Sequence, residues 1–229
     1  MKTAWLRKEG SQELLLLFNG WGMDRRIGDH LLRQSELAGL SSDILLCYDY
    51  RSLELEAGVM MEAARYARIT LVAWSFGVWA ARHTELPPIA RAIAINGTLF
   101  PVDDRKGIAP EIFEATLATY SEGSRQRFYR RMCGGREELA LFESMAPLRT
   151  AAEQQEELNS LKEQLHRAGA AKSALWHYNH AIIGGRDLVF LAEQQYHAWR
   201  GVPQTVIADM PHFPFFHFTT LQEVLECIR

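Results

Sequence analysis

The sequence predicts an α/β protein: a mostly parallel central sheet with helices on both faces and an inserted helical lid. Two observations predict it. Short apolar runs of strand length recur, each followed by turn residues and then a helical pattern, which is how strands of a parallel sheet alternate with their covering helices. Between Pro110 and about 171 the strand signal stops, and a charged stretch rich in Glu, Gln, Leu, Ala and Arg takes over, a composition that favours helix.

The runs are Leu14–Phe18, Ile44–Tyr48, Ile69–Ala73, Ile89–Ile95, Ala181–Ile183 and Gln204–Ala208. The helix-rich stretch falls between the strand ending near Asn96 and the one ending near Gly184. A lid placed there covers the carboxyl ends of the strands, where open α/β sheets bind ligands. Residues 1–229 are therefore read as one domain with a lid at about 110–171. Within that lid the run Glu153–Glu157 reads as a solvated helix face.

Hydrophobic residues are 48% of the chain and charged residues 23%, enough to build a core and too apolar for a disordered chain. A net charge of −3 gives no global attraction to nucleic acid or to an anionic membrane, so neither is an expected partner. Cys47, Cys133 and Cys227 have no metal-like or paired spacing and read as reduced thiols filling the core of a cytosolic protein. Residues 1–10 lack the apolar stretch of a signal peptide, and the run Leu14–Phe18 is far too short to cross a bilayer. The expectation is a cytoplasmic monomer without metal or organic cofactor.

Chemistry enters at Ala73-Trp74-Ser75-Phe76-Gly77, which follows a strand directly and leads into the helical Val78–His83. In the nucleophile elbow of α/β-hydrolases a serine occupies a strained strand-to-helix turn, and the residues two before and two after it are small because two backbones meet there. Ala73 stands where the usual motif has glycine. The competing reading of Ser75 is a plain helix cap.

In that fold the acid and the base follow the serine in chain order. Ala181–Ile183, Gly184-Gly185-Arg186 and Asp187 form a strand, a turn and an acid, and the helical pattern beyond is expected to pack Leu191 and Tyr196. His212 lies in the loop after the last strand, before a helix expected over about Thr219–Ile228. Its rival His217 sits among Phe215, Phe216 and Phe218 and reads as a histidine of an aromatic cluster. Asp209 is too close in sequence to His212 to orient it and reads as a turn residue. The loop Phe18-Asn19-Gly20-Trp21-Gly22 supplies backbone donors for an oxyanion, and the backbone N–H groups of Trp21 and Phe76 are the assigned pair.

These residues resemble the BioG group of pimeloyl-acyl carrier protein methyl ester esterases of biotin synthesis. The matching stretches are Phe18–Gly22, Cys47-Tyr48-Asp49-Tyr50, Val72–Trp79, Asn96-Gly97-Thr98, Ile112-Phe113, Gly185-Arg186-Asp187 and the Pro211-His212 loop. The resemblance implies a carboxylic ester hydrolase with Ser75, Asp187 and His212 as its triad, acting on a methyl ester carried by acyl carrier protein and releasing methanol. Many relatives have histidine where this chain has Asn19, which leaves open how the oxyanion loop is braced.

Arg125-Gln126-Arg127-Phe128-Tyr129-Arg130-Arg131-Met132 carries four arginines and no acid. On a helix Arg127, Arg130 and Arg131 share a face suited to an acidic carrier protein, while Phe128 and Met132, one turn apart, suit an acyl tunnel together with Trp21. A solvated arginine face over a core stripe is the plainer alternative. Two other functions fit the sequence: a broader carboxylesterase or thioesterase of the same fold, and a non-catalytic module that binds carrier protein.

Overall fold

The computed structural model describes residues 1–168 and 176–228, so the expected end of the lid at 171 lies outside the described residues. The strands are β1 (Lys2–Arg7), β2 (Glu13–Phe18), β3 (Asp43–Tyr48), β4 (Arg68–Trp74), β5 (Arg91–Ile95), β6 (His180–Gly184) and β7 (Gln204–Ile207). They form one sheet in the order β1-β3-β2-β4-β5-β6-β7. β1 runs antiparallel to β3, and every other pairing is parallel.

β2 shows why a continuous apolar run makes a central strand. Successive side chains of a strand point to opposite faces: Leu14, Leu16 and Phe18 join one buried cluster and Leu15 and Leu17 the other. Helices cover both clusters. α3 (Phe76–His83) buries Val78, Trp79 and Ala80 in the first, whereas α1 (Arg25–Leu37) places Ile27 and Leu31, and α9 (Leu221–Glu226) places Leu221 and Val224, in the second. α2 (Ala57–Ala63) and α8 (Ala192–Ala198) complete the frame.

β1 is absent from the strand pattern read in the sequence. It pairs along one edge only, has no fully buried residue, and begins and ends on charged side chains, so it lacks the apolar run that marks its neighbours. What fixes its return to the sheet is Asp43. This fully buried carboxylate accepts hydrogen bonds from the N–H groups of Glu9 (2.7 Å), Gly10 (3.1 Å) and Ser11 (3.2 Å) and from the Tyr66 hydroxyl (2.8 Å).

Between β5 and β6 the chain forms α4 (Pro110–Thr119), α5 (Glu122–Cys133), α6 (Arg136–Met145) and α7 (Ala151–Arg167). Capping boxes at Ser121 and Thr150 start α5 and α7, and Gly134, with φ of 76°, ends α5 in the left-handed conformation that suits glycine. The Glu153–Glu157 run is not a solvated face. Gln154 and Glu157 are 0% exposed, in the same stripe as Ala151, Leu158 and Leu161, because residues three, four and seven apart share one side of a helix. Leu191 and Tyr196 also depart from expectation: they are 46% and 39% exposed, and Phe190, Gln195 and Trp199 are buried instead. Among the described residues no helix is long and apolar enough to cross a membrane.

Burial pushes the Asp43 carboxyl up, but its four hydrogen bonds outweigh that and hold it below the ordinary 3.8. A depressed folded-state value means that the unfolded chain takes up the proton first, so the stability is present above the ordinary value and is lost as pH falls below it through the folded value. Asp43→Asn should therefore lower the melting temperature at neutral pH and flatten the acid limb of a stability–pH curve measured by circular dichroism.

Candidate active site

β4 ends at Trp74 and α3 begins at Phe76, which leaves Ser75 alone in the turn with φ of 58° and ψ of −131°. A non-glycine residue in that region is strained and persists only where its surroundings hold it. They do so by contact. A Cβ on Gly77 would lie 2.5 Å from the Asn19 carbonyl oxygen, and one on Gly97 would lie 2.3 Å from that of Ser75. Ala73, fully buried, sits between Phe18 and Ala94 in register. The Ser75 side chain makes no helix-capping bond; its Oγ lies 3.0 Å from His212 Nε2.

His212 Nδ1 lies 2.9 Å from Asp187 Oδ2, so the structure brings Ser75, His212 and Asp187 into one line of contacts. A carboxylate only accepts hydrogen bonds, so Nδ1 donates to it, and the neutral ring then presents Nε2 as the acceptor facing the Ser75 hydroxyl. Asp187 is held in turn. Its Oδ1 accepts from the N–H groups of Val189 (2.7 Å) and Phe190 (2.9 Å), and its Oδ2 accepts from Gln195 Nε2 (3.1 Å). All three side chains are buried, and the Phe190 ring stacks on the imidazole with centroids 5.9 Å apart. The two rivals lie elsewhere: Asp209 and His217 are exposed, and His217 meets Phe218 edge-on.

The loop that carries His212 is tied to the serine turn by side chains that the sequence did not single out. The His212 carbonyl accepts from Trp74 Nε1 (2.9 Å) and from Asn96 Nδ2 (3.0 Å). Asn96 also donates to the Pro211 carbonyl (2.8 Å), while its Oδ1 accepts from the Gly184 N–H (2.7 Å). One buried amide thus joins the ends of β5 and β6 to the histidine loop. Asn96 adopts a φ of 45°, and that conformation leaves no mark in the sequence beyond an asparagine before a glycine.

Trp21, in the loop after β2, and Phe76, the first residue of α3, line the same cavity as Ser75. Among the described residues neither backbone N–H donates to a protein acceptor, so both remain able to bind an anion. With Asn19 in place of histidine, the first loop is braced locally: Asn19 Nδ2 donates to the Asp24 carbonyl (3.0 Å), its Oδ1 accepts from the Gly20 N–H (3.0 Å), and its carbonyl accepts from the Tyr50 hydroxyl (2.6 Å).

A cavity opens over Ser75 and His212, walled by Trp21, Phe76, Phe113, Phe128 and Met132. The expected pocket residues Trp21, Phe128 and Met132 all line it, and the Trp21 and Phe128 rings meet edge-on at 5.3 Å. Arg127, Arg130 and Arg131 are exposed on the outer side of α5 and form no ion pair among the described residues. Arg131 stands at the border of that face: it also lines the cavity, with its guanidinium 5.9 Å from the Phe128 ring centroid. Partial burial lowers its pKa from the ordinary value, against the pull of Asp187. Leu191 is exposed because it lines the cavity mouth, beside Ile112 and Leu188. Among the described residues no three His, Cys, Asp or Glu side chains gather as a metal site would require.

A family model described as pimeloyl-ACP methyl esterase BioG matches residues 1–224. A malonyl-[acyl-carrier protein] O-methyltransferase of Bacteroides fragilis is 41% identical over 193 residues, 82% of this chain; the chain spans only 37% of that protein. The crystal structure of BioG from Haemophilus influenzae superposes with a TM-score of 0.83 at 30% identity, covering 97% of this chain and 98% of that one. A lipase-esterase related protein of Clostridium acetobutylicum, 14% identical, shares the fold with a TM-score of 0.62 over 99% of this chain and 97% of its own.

Because no Cβ fits between Gly97 and the Ser75 carbonyl, Gly97→Ala should displace the serine turn. The expected cost is about 1–3 kcal/mol of stability, read by urea denaturation, with a fall in kcat for a simple ester that is larger than the change in KM.

Proposed function

The chain belongs to the BioG family of pimeloyl-ACP methyl esterases, and from that premise we propose that it is a serine esterase hydrolysing the methyl ester of methyl pimeloyl-acyl carrier protein. The observation that carries the mechanism is His212 held between Ser75 Oγ at 3.0 Å and Asp187 at 2.9 Å. His212 Nε2 takes the hydroxyl proton as Ser75 Oγ attacks the ester carbonyl. The oxyanion that forms accepts the N–H groups of Trp21 and Phe76, and each such donor is worth roughly 100-fold to 1,000-fold in rate. As the intermediate collapses, the imidazolium returns the proton to the departing methoxide and methanol leaves. Water then gives its proton to His212 and attacks the acyl-enzyme, which releases the carboxylate and regenerates Ser75. Asp187 keeps the ring in the required tautomer throughout.

The apolar wall of Trp21, Phe128 and Met132 suits a methylene chain whose ester carbonyl lies at Ser75. A carrier protein is an acidic partner, and Arg127, Arg130 and Arg131 present exposed positive charge that forms no ion pair among the described residues. The B. fragilis relative's name also concerns an acyl group on acyl carrier protein, although the reaction it names is methyl transfer and this chain spans 37% of that protein.

The test is mass spectrometry of methyl pimeloyl-acyl carrier protein after exposure to enzyme. Wild type should remove one methyl group, and Ser75→Ala should leave the carrier methylated. Cleavage of simple esters without demethylation of the carrier would replace this reading with a broader carboxylesterase or thioesterase. Reversing charge at Arg127 and Arg130, with Arg131 left in place because it also lines the cavity, should raise KM for the carrier-bound ester at least about 10-fold while leaving p-nitrophenyl butyrate hydrolysis near wild type, and the difference should shrink in high salt.

A further inference from the structure

The turn carrying the Trp21 N–H is held from outside the sheet, by the inserted helix α7. Trp21 Nε1 donates to the Gln154 carbonyl (2.8 Å), Gln154 Nε2 donates to the Gly22 carbonyl (2.7 Å), and the Gly22 N–H donates to Glu157 Oε2 (3.1 Å). On the other side of the turn the Gly20 carbonyl accepts from the Met23 N–H (3.4 Å). Because a trans peptide sets its C=O and N–H in opposite directions, that contact turns the Trp21 N–H away from the Met23 side of the turn. Gly22, with φ of 77°, has the left-handed conformation the turn requires.

Glu157 is the centre of this hold. Its carboxylate is 0% exposed and accepts from Gly22, from the Tyr50 N–H (2.8 Å) and from the Arg149 guanidinium (2.5 Å). It therefore joins the loop after β2 to the loop after β3. Arg149, 8% exposed, also reaches the Met23 carbonyl (3.3 Å) and Asp49 (3.5 Å). A buried ion pair of this kind is often no more stabilising than a well-packed apolar pair, so stability alone gives no reason for a carboxylate here. Its two backbone contacts do.

We propose that Glu157, with Gln154 as a second point of hold, is a positioning residue of the oxyanion hole: from the inserted helix it fixes the direction of the Trp21 N–H. The inference rests on the reading of Trp21 as an oxyanion donor. It also assigns α7 to the catalytic frame.

The test compares Glu157→Ala, Glu157→Gln and the charge-neutral Glu157→Leu/Arg149→Met, each checked for folding by circular dichroism, on p-nitrophenyl butyrate and with phenylboronic acid as a tetrahedral-adduct probe. Misplacement of a catalytic group by about 1 Å can cost on the order of 100-fold. Glu157→Ala and the double variant should therefore lose about 10-fold to 100-fold in kcat with KM within about twofold. Boronate affinity should fall in parallel, and Glu157→Gln, which keeps an oxygen acceptor for one of the two N–H groups, should recover part of the rate. A double variant with wild-type kcat, one whose loss lies in KM alone, or one that does not fold would overturn the proposal. Ser75→Ala run alongside separates the two levels. If it still hydrolyses the ester, the serine mechanism fails and takes this inference with it; if it is inactive, failure of the Glu157 variants to lose kcat counts against Glu157 alone.

Discussion

The site depends on one crowded point, the left-handed backbone at Ser75. A residue that departs from the allowed regions is stable only if its neighbours leave it no alternative, and here the neighbours are backbone. The end of β2 presses on Gly77 and the Ser75 carbonyl presses on Gly97. Side chains larger than hydrogen would part these segments, and with them the Trp21 loop, the serine turn and the Asn96 corner. The same turn places Ser75 Oγ 3.0 Å from the imidazole with the Phe76 N–H next to it in the chain, so on the proposed reading nucleophile and donor are set together.

Around that point the polar groups are satisfied in sequence. Asp187 is filled by two backbone N–H groups, an amide and the imidazole, and the His212 carbonyl by Trp74 and Asn96. Phe190, Phe213 and Phe215 pack the intervening space, with Phe190 on the imidazole and the other two edge-on to Trp74. Water is kept from the back of the histidine, where it would compete for Nδ1. A buried network of this type fixes orientation through its paired members, and here Gln195, which donates to Asp187, has its own Oε1 without a partner among the described residues.

Much of this was legible from residue order. The strands β2 to β6 are apolar on both faces and so betray themselves by composition, and the serine, acid and histidine each follow a strand end in the order an α/β-hydrolase requires. β1 was not legible because an edge strand needs only half-buried side chains. Gln154 and Glu157 were misread for a related reason: in a Glu/Gln-rich helix, charge suggests solvent, and only the tertiary position of α7 shows that these two polar residues point at backbone groups of another loop. Leu191 and Tyr196 were read as packed because they are apolar, yet Leu191 faces the cavity mouth, where an exposed apolar side chain has a role. Asn96 and Trp74 could be quoted as parts of matching stretches, but their bonds to the histidine loop arise from the meeting of three segments far apart in sequence.

The sheet and the inserted helices share the walls of the cavity. The crowding that sets the Ser75 turn is backbone against backbone, and the sheet side adds only Trp21, Trp74 and Phe76 to the cavity lining. The inserted helices close the cavity with Phe113 on α4 and Phe128 and Met132 on α5. α5 carries Arg127 and Arg130 on its outer side, and Arg131 at the border between the arginines and the cavity. On the proposed reading, one helix contacts the acyl chain with one face and the acidic carrier with the other. The oxyanion side meets the same helix: the Trp21 ring packs edge-on against Phe128, and Gln154 Nε2 donates to the Tyr129 hydroxyl (3.1 Å), so α5, α7 and the Trp21 loop are packed as one unit.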